Sequence, residues 1–161
     1  MPATLTVVLD SNIYIFGIAR VMPSCEALLN VLSRGKWESR LRVITPHLVE
    51  REVTRSLEPI GLSASKLFYS ILADVPWSGV TYEAPPDELM LKYLELGLAE
   101  EDAVIAAFTE WLGAKYLVSE NRHFLEELKT EALQVVDAAE FLNMIEAGGI
   151  LACTEKRVTR F

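Results

Sequence analysis

Four polar side chains that could bind a hard cation occur at separate places along the sequence: Asp10, Glu52, Asp102 and Asn121. The first three are carboxylates and the fourth is an amide, and oxygen donors of both kinds are ligands that Mg²⁺ and Mn²⁺ prefer. Carboxylates held close together raise one another's pKa unless a cation neutralises them. If the fold brings these residues together, the sequence therefore predicts a divalent-cation site.

Taken one at a time, each of these residues also has an ordinary structural explanation. Asp10 could end a turn after a strand, and Asp102, the last of three consecutive acids, could complement a helix dipole. A lone glutamate such as Glu52 usually lies on a solvated helix face, and Asn121 is a common helix-capping residue. The three consecutive acids that end at Asp102 are more than helix capping requires. The four candidate ligands are therefore more informative as an ordered set than one at a time.

Apolar periodicity predicts strands that alternate with helices. The predicted strands are 5–9, 41–45, 80–82, 115–119 and 133–136. The predicted helices are 25–36, 46–58, 63–73, 87–96, 103–112, 122–129 and 137–147, and the segment after Asn12 is predicted as a loop. In the third of these helices Leu67, Ile71 and Leu72 are expected to face inward. This alternation indicates an α/β fold with a parallel sheet covered on both faces, which places functional groups beyond the carboxyl ends of its strands.

The composition is that of a globular domain, because 51% of the 161 residues are apolar and 24% are charged. The formal net charge of −8 disfavours a passive nucleic-acid coat protein. Cys25 and Cys153 are too few for a disulfide framework or a zinc site. No apolar stretch is long enough for a membrane span and no signal peptide is evident, so we expect a cytoplasmic protein without a membrane partner.

Taken together and in this order, these residues resemble a known family, the PIN domain. The segments that carry the resemblance are Asp10-Ser11-Asn12, Thr45-Pro46-His47 leading to Arg51-Glu52-Val53, Glu101-Asp102-Ala103-Val104-Ile105, and Leu117-Val118-Ser119-Glu120-Asn121-Arg122-His123-Phe124. The similarity runs from about Leu5 to Leu142. It implies a three-layer α/β/α sandwich with a central, mostly parallel sheet. We expect one nuclease domain over residues 1–147, followed by a C-terminal tail, 148–161.

The resemblance implies a Mg²⁺- or Mn²⁺-dependent endoribonuclease, and many such proteins are toxins of toxin–antitoxin pairs. It assigns metal binding to Asp10, Glu52, Asp102 and Asn121. The family usually has aspartate at the fourth position, and Glu120 beside Asn121 could compensate for the lost charge. The segment before Glu52 is one residue longer than expected, so Glu50 is an alternative ligand. The residues expected to support the ligands or to contact phosphate are Ser11, Asn12 and Ser119.

The expected partners are an RNA substrate, an antitoxin protein and a second copy of the chain in a homodimer. The candidates for a local basic rim are Arg20, Arg51, Lys115 and Arg122. Two other functions are compatible with the sequence. Because Asn121 removes one charge, the chain could be a catalytically impaired PIN-like domain that acts as an RNA- or protein-interaction module. A phosphatase with Asp10 as nucleophile is less consistent, because Asn12 stands where such enzymes carry a second aspartate and no glycine-rich phosphate loop is present.

Overall fold

The computed structural model describes residues 4–34, 40–75 and 79–146. Its strands are β1 (Leu5–Leu9), β2 (Leu41–Pro46), β3 (Gly79–Thr81), β4 (Tyr116–Val118) and β5 (Gln134–Val136). Its helices are α1 (Ser11–Ile18), α2 (Pro23–Arg34), α3 (His47–Leu57), α4 (Leu62–Asp74), α5 (Asp87–Glu95), α6 (Glu100–Trp111) and α7 (Ala138–Glu146). A short π-helical turn, His123–Glu127, lies between β4 and β5. All five predicted strands are therefore confirmed.

The five strands form one sheet in the order β3-β2-β1-β4-β5, and every neighbouring pair is parallel. Val8 on the central strand pairs with Ile44 on one side and with Leu117 on the other, so the carboxyl ends of these strands are level. The middle strands are buried because helices cover both faces of the sheet. The predicted three-layer α/β/α sandwich is confirmed, and its sheet is wholly parallel.

The segment after Asn12 is helix α1, so the prediction of a loop there is wrong. Its sequence SNIYIFGI is apolar on nearly every side and has no alternation between polar and apolar faces. A helix that is apolar all round is buried, and its periodicity cannot be seen in the sequence. Tyr14 is fully buried in this helix, and its hydroxyl shares a hydrogen bond of 3.0 Å with Thr45 Oγ1, which ties α1 to the end of β2.

A close contact between α1 and α2 depends on Gly17. A Cβ atom at this position would lie 2.6 Å from Leu29 Cδ1 and 3.1 Å from the backbone of Cys25. Cβ atoms do not approach other heavy atoms this closely without a shift in the packing. The glycine therefore allows the two helices to pack at the separation that the structure shows.

Some predicted details differ from the structure. Leu67 was expected to face inward, but it is 47% exposed, and its neighbour Phe68 is fully buried instead. β2 continues through Pro46, so this proline caps α3 and is not its first helical residue. The end of the first predicted helix, 25–36, and the tail 148–161 lie outside the described residues.

No single described helix is long and apolar enough to cross a membrane, and α1 and α2 pass the length and composition test only as a pair bent by 99°.

Candidate functional site

Asp10 lies where β1 ends and α1 begins, and it is buried with only 3% of its surface exposed. Its Oδ1 accepts a hydrogen bond of 2.7 Å from the backbone N–H of Ser11, so the carboxylate caps α1. Its Oδ2 accepts a hydrogen bond of 2.7 Å from the Ser119 hydroxyl, which comes from the end of the neighbouring strand β4. The carboxylate is thus held from both sides at the carboxyl edge of the sheet.

Ser119 and Asn12 connect the ends of β1 and β4. The Ser119 Oγ that donates to Asp10 also accepts a hydrogen bond of 3.0 Å from the backbone N–H of Asn121. Asn12 Oδ1 accepts the backbone N–H of Glu120 at 3.2 Å, and its Nδ2 lies 3.5 Å from both Asp10 Oδ2 and Ser119 Oγ. These polar groups orient Asp10.

Glu52 projects from α3 toward the same edge. Its partial burial raises the pKa of its carboxyl, a hydrogen bond from the Ser11 side chain opposes the rise, and the charges of Asp10 and Glu101 add to it. The Ser11 hydroxyl also lies 3.5 Å from Asp10 Oδ1, so this serine stands between the two acids. The structure therefore brings Glu52 to Asp10.

Glu50 faces the other side of α3. Its Oε1 accepts a hydrogen bond of 3.2 Å from the Tyr69 hydroxyl of α4. Residues two positions apart on a helix do not share a face, and the core residues Val49 and Val53 define the direction of the sheet. Of the two alternative glutamates, Glu52 is the one that the fold places beside Asp10.

Asp102 lies in the first turn of α6 and faces Asn121. Asn121 Nδ2 lies 3.3 Å from Asp102 Oδ2 and donates to it, while Asn121 Oδ1 accepts the backbone N–H of His123 at 3.0 Å. Burial raises the pKa of Asp102; the Asn121 hydrogen bond and the charge of His123 oppose the rise, and the charge of Glu101 adds to it. Asn121 thus acts here as a hydrogen-bond donor to an acid, a role that aspartate could fill only when protonated.

Glu101 is an acid at this edge that was not singled out from the sequence. It lies in the first turn of α6, and its charge acts on both Glu52 of α3 and its neighbour Asp102. The available signal was the run of three acids, one more than a helix N-terminus needs. Glu120 does not compensate for Asn121, because its Oε1 accepts the backbone N–H of Ala138 at 2.9 Å and caps α7.

The acids of the edge repel one another. Burial raises the pKa of Asp10, the hydrogen bonds from Ser119 and Ser11 oppose the rise, and the charge of Asp102 reinforces it. Two ion pairs, Arg20–Glu26 and Lys92–Glu110, lie away from this edge. A divalent cation would relieve this repulsion.

The donor set fits a hard cation, because Asp10, Glu52, Asp102 and Asn121 all offer oxygen ligands. No three His, Cys, Asp or Glu side chains among residues 4–34, 40–75 and 79–146 form a group that could hold a metal ion by themselves. Mg²⁺ commonly uses one or two carboxylates and completes its shell with waters and substrate phosphate. The edge therefore fits an ion held by few protein ligands, and does not fit an ion enclosed by protein.

The predicted basic rim is only partly supported. Arg20 has a left-handed backbone (φ 57°) after α1 and is paired with Glu26 at 3.3 Å. Lys115 precedes β4 and lies at the opposite edge of the sheet, so its assignment to the rim is wrong. Arg51 and Arg122 follow β2 and β4, which end at the acidic edge, and both are exposed.

No protein-family model and no curated protein sequence matches this chain. Solved structures do match it. PAE2754 from Pyrobaculum aerophilum has a TM-score of 0.57 at 21% identity, over 90% of this chain and 98% of that one. VapBC2 from Rickettsia felis, solved with a DNA fragment from the promoter of the pair, has a TM-score of 0.54 at 16% identity, over 83% of this chain and 98% of that one. VapC proteins carry PIN domains.

The chain has a PIN-like fold. At these identities the likeness concerns the fold alone, so the roles of individual residues have to be argued from the geometry of this chain. In this fold Asp10, Glu52, Asp102 and Asn121 come from four separate parts of the chain and meet at one sheet edge.

Proposed function

We propose that this PIN-like protein is a Mg²⁺- or Mn²⁺-dependent endoribonuclease that hydrolyses phosphodiester bonds of RNA. The observation that carries the proposal is the acid cluster at the carboxyl edge of the sheet, where burial and mutual repulsion raise the pKa of Asp10, Glu52 and Asp102. Such clusters of perturbed acids are typical of functional sites. Because the protein itself provides few countercharges there, the cluster favours a cation that also contacts a phosphate.

In this proposal Asp10 and Asp102 hold the ion, and Glu52 and Asn121 contact it directly or through water. When bound, Mg²⁺ or Mn²⁺ supplies Lewis-acid activation of the scissile phosphate and of an attacking water. Ser119 and Ser11 keep Asp10 in place by hydrogen bonds to its two oxygens. Such support matters because a misplaced ligand reduces both metal affinity and rate.

We further propose that the chain is the toxin of a toxin–antitoxin pair. The support is the likeness in fold to a VapBC complex, which was solved with a piece of its own promoter. The corresponding test is whether a small DNA-binding protein encoded next to this chain co-purifies with it and inhibits cleavage. The absence of any such inhibition would leave the nuclease proposal intact and remove the toxin assignment.

The test of the nuclease proposal is cleavage of labelled single-stranded RNA with Mn²⁺ by the wild type, Asp10→Asn and Asp102→Asn. Both variants keep the size of the side chain and remove its charge, so we expect cleavage to be lost. Asp74→Asn is the matched control, because Asp74 is exposed at the far end of α4. Equal activity in all four proteins would show that these acids do not perform the reaction.

A second candidate function is an interaction module without catalysis. The observation that favours it is the hydrogen bond from Asn121 to Asp102, because the amide takes up one carboxylate oxygen that an ion could use. Binding of RNA without any cleavage, under conditions in which Mn²⁺ raises the melting temperature, would identify this case.

A further inference from the structure

Next to the acidic edge, an exposed tyrosine ring lies against a partly buried histidine ring. His47 is the first residue of α3 and Tyr82 follows β3, and their ring centroids are 4.7 Å apart with an angle of 39° between the planes. Tyr82 is 71% exposed. A large ring with so much exposed surface contributes little to the core, and a neighbouring ring holds it in one orientation.

The topology brings this pair close to the acids. β2 and β3 run parallel to β1, and the register keeps Val8, Ile44 and Gly79 level, so all three strands end at the same edge. Neighbouring strands are about 4.8 Å apart, so the end of β3 lies roughly 10 Å from the end of β1. This separation corresponds to about three bases stacked 3.4 Å apart in one strand.

Further groups extend the aromatic surface. Tyr69 of α4 is 48% exposed and close enough to Tyr82 for the two hydroxyls to interact electrostatically. Tyr69 also borders an open depression of about 470 Å³, whose other lining residues are Arg51, Thr54, Arg55, Glu58 and Ser65. Arg51 and Arg55 are exposed, lie one helical turn apart, and take part in none of the ion pairs found among the described residues. Exposed rings beside unpaired guanidinium groups are the combination that binds single-stranded nucleic acid.

We propose that His47, Tyr82 and Tyr69 form a stacking platform for unpaired bases of single-stranded RNA, with Arg51 and Arg55 contacting the adjoining phosphates. The inference rests on the proposed function, since it supplies the substrate contact for the same edge. It also explains how a chain with a net charge of −8 holds a polyanion. Stacking does not depend on charge, and every base offers a ring face, so the platform selects single strands over duplexes and tolerates many sequences.

The test measures the affinity of the full chain for a fluorescent single-stranded oligoadenylate and for an RNA duplex, with Mg²⁺ present. All proteins carry Asp10→Asn, so that cleavage does not disturb the measurement. Removing one stacked ring from a single-strand site weakens binding by about 5-fold to 150-fold. We expect Tyr82→Ala to show a loss in this range for the single strand and little change for the duplex.

Tyr82→Phe and Trp111→Ala are the matched variants. The phenylalanine keeps the ring and should retain the affinity of the parent. Trp111 is an exposed aromatic residue at the end of α6 that is remote from Asp102, so its loss should leave binding unchanged. Thermal melting of each variant shows whether the fold is preserved, which we expect because Tyr82 is mostly exposed.

Unchanged affinity of Tyr82→Ala, or an equal loss for single strand and duplex, would overturn the platform. A lower oligomeric mass of Tyr82→Ala with unchanged RNA affinity would also overturn it and would assign these rings to a contact between copies. The two proposals fail separately. If the wild type cleaves RNA but binding does not depend on Tyr82, the nuclease proposal stands and the platform is refuted. If binding depends on Tyr82 but the wild type does not cleave RNA, the platform stands and the nuclease proposal is refuted.

Discussion

Replacing Asn121 by aspartate places a second carboxylate against Asp102. In the wild type, Asn121 Nδ2 lies 3.3 Å from Asp102 Oδ2 and donates a hydrogen bond to it. The substitution removes this donor and leaves two acceptors facing each other beside Asp10 and Glu101, whose charges already act on the acids of this edge. We expect Asn121→Asp to destabilise the protein when no divalent ion is bound, and to strengthen its response to such an ion.

The size of the effect follows from two contributions. Two unit charges about 4 Å apart repel by about 1 kcal/mol in water and about 4 kcal/mol near a protein surface, and both residues here are half-buried. The lost hydrogen bond to a charged group contributes about 1.5–3 kcal/mol. Protonation of one acid limits the total cost at pH 7 to about 4 kcal/mol, since that is the free energy of holding a proton about three units above an ordinary carboxyl pKa. We therefore expect a loss of about 2–4 kcal/mol in the free energy of unfolding.

The assay is thermal unfolding in EDTA and in a Mn²⁺ series. For a chain of this size about 2–4 °C of melting temperature corresponds to 1 kcal/mol, so Asn121→Asp should melt about 4–16 °C below the wild type in EDTA. An ion at a hundred times its dissociation constant stabilises the native state by about 2.7 kcal/mol. Because the variant offers one more carboxylate, Mn²⁺ should raise its melting temperature by more than it raises that of the wild type.

Asn143→Asp is the matched control, because it makes the same chemical change at an exposed position of α7. It should melt close to the wild type and show no altered response to Mn²⁺. An Asn121→Asp protein that is as stable as the wild type in EDTA, and no more responsive to Mn²⁺, would refute the reasoning that these acids share one ion.

Three further predictions concern the frame that holds the site. Gly17→Ala places a Cβ atom 2.6 Å from Leu29 Cδ1 and should lower the free energy of unfolding by about 1–3 kcal/mol in urea titrations; an unchanged stability would show that α1 and α2 can move apart freely. Glu120→Ala removes the acceptor of the first N–H of α7 and should cost about 0.5–2 kcal/mol in the same assay, whereas no loss would mean that water replaces this cap. Burial raises the pKa of Glu110, but the hydrogen bonds and the charge of Lys92 outweigh this effect and lower the pKa below its ordinary value. The pair therefore stabilises the fold at pH values above the ordinary glutamate pKa, and this stabilisation is lost as the pH falls through the lowered pKa. Lys92→Ala should therefore be less stable than the wild type by about 0.2–1 kcal/mol at pH 7, and this difference should shrink as the pH falls through the lowered pKa of Glu110. A difference that does not shrink in acid would contradict the ion-pair explanation.

The sheet was predictable because its strands are short apolar runs that end abruptly in polar residues. A strand buried on both faces, such as β1, has no alternation, and its abrupt end at Asp10 is the clearest signal of where the sheet edge lies. The amphipathic helix α3 was predictable for the complementary reason, since Val49, Val53 and Leu57 recur at helical spacing. The predicted position of the site followed from these elements, because parallel strands end at one edge.

The details that could not be predicted depend on tertiary contacts. Helix α1 has no polar face, so its sequence does not distinguish a buried helix from a loop. Whether Asn121 points its amide nitrogen or oxygen at Asp102 is decided by the backbone N–H of His123, which occupies the oxygen. The direction of Glu120 is decided by the N-terminus of α7, which comes from a distant part of the chain. No local pattern contains these partners.

The net negative charge of the chain is consistent with the proposed RNA binding, because the bound cation and the stacked rings contribute in different ways. Electrostatic binding to a phosphate backbone weakens steeply with salt, and a chain with a net charge of −8 has little of it to lose. A cation at the edge of Asp10 and Asp102 bridges one phosphate, and its contribution disappears in EDTA. Stacking on Tyr82 involves no net charge, so it persists at higher salt. RNA binding by this chain should therefore depend on the divalent ion and on unpaired bases. It should depend only modestly on ionic strength, because Arg51 and Arg55 supply two phosphate contacts whereas a basic nucleic-acid-binding domain supplies many.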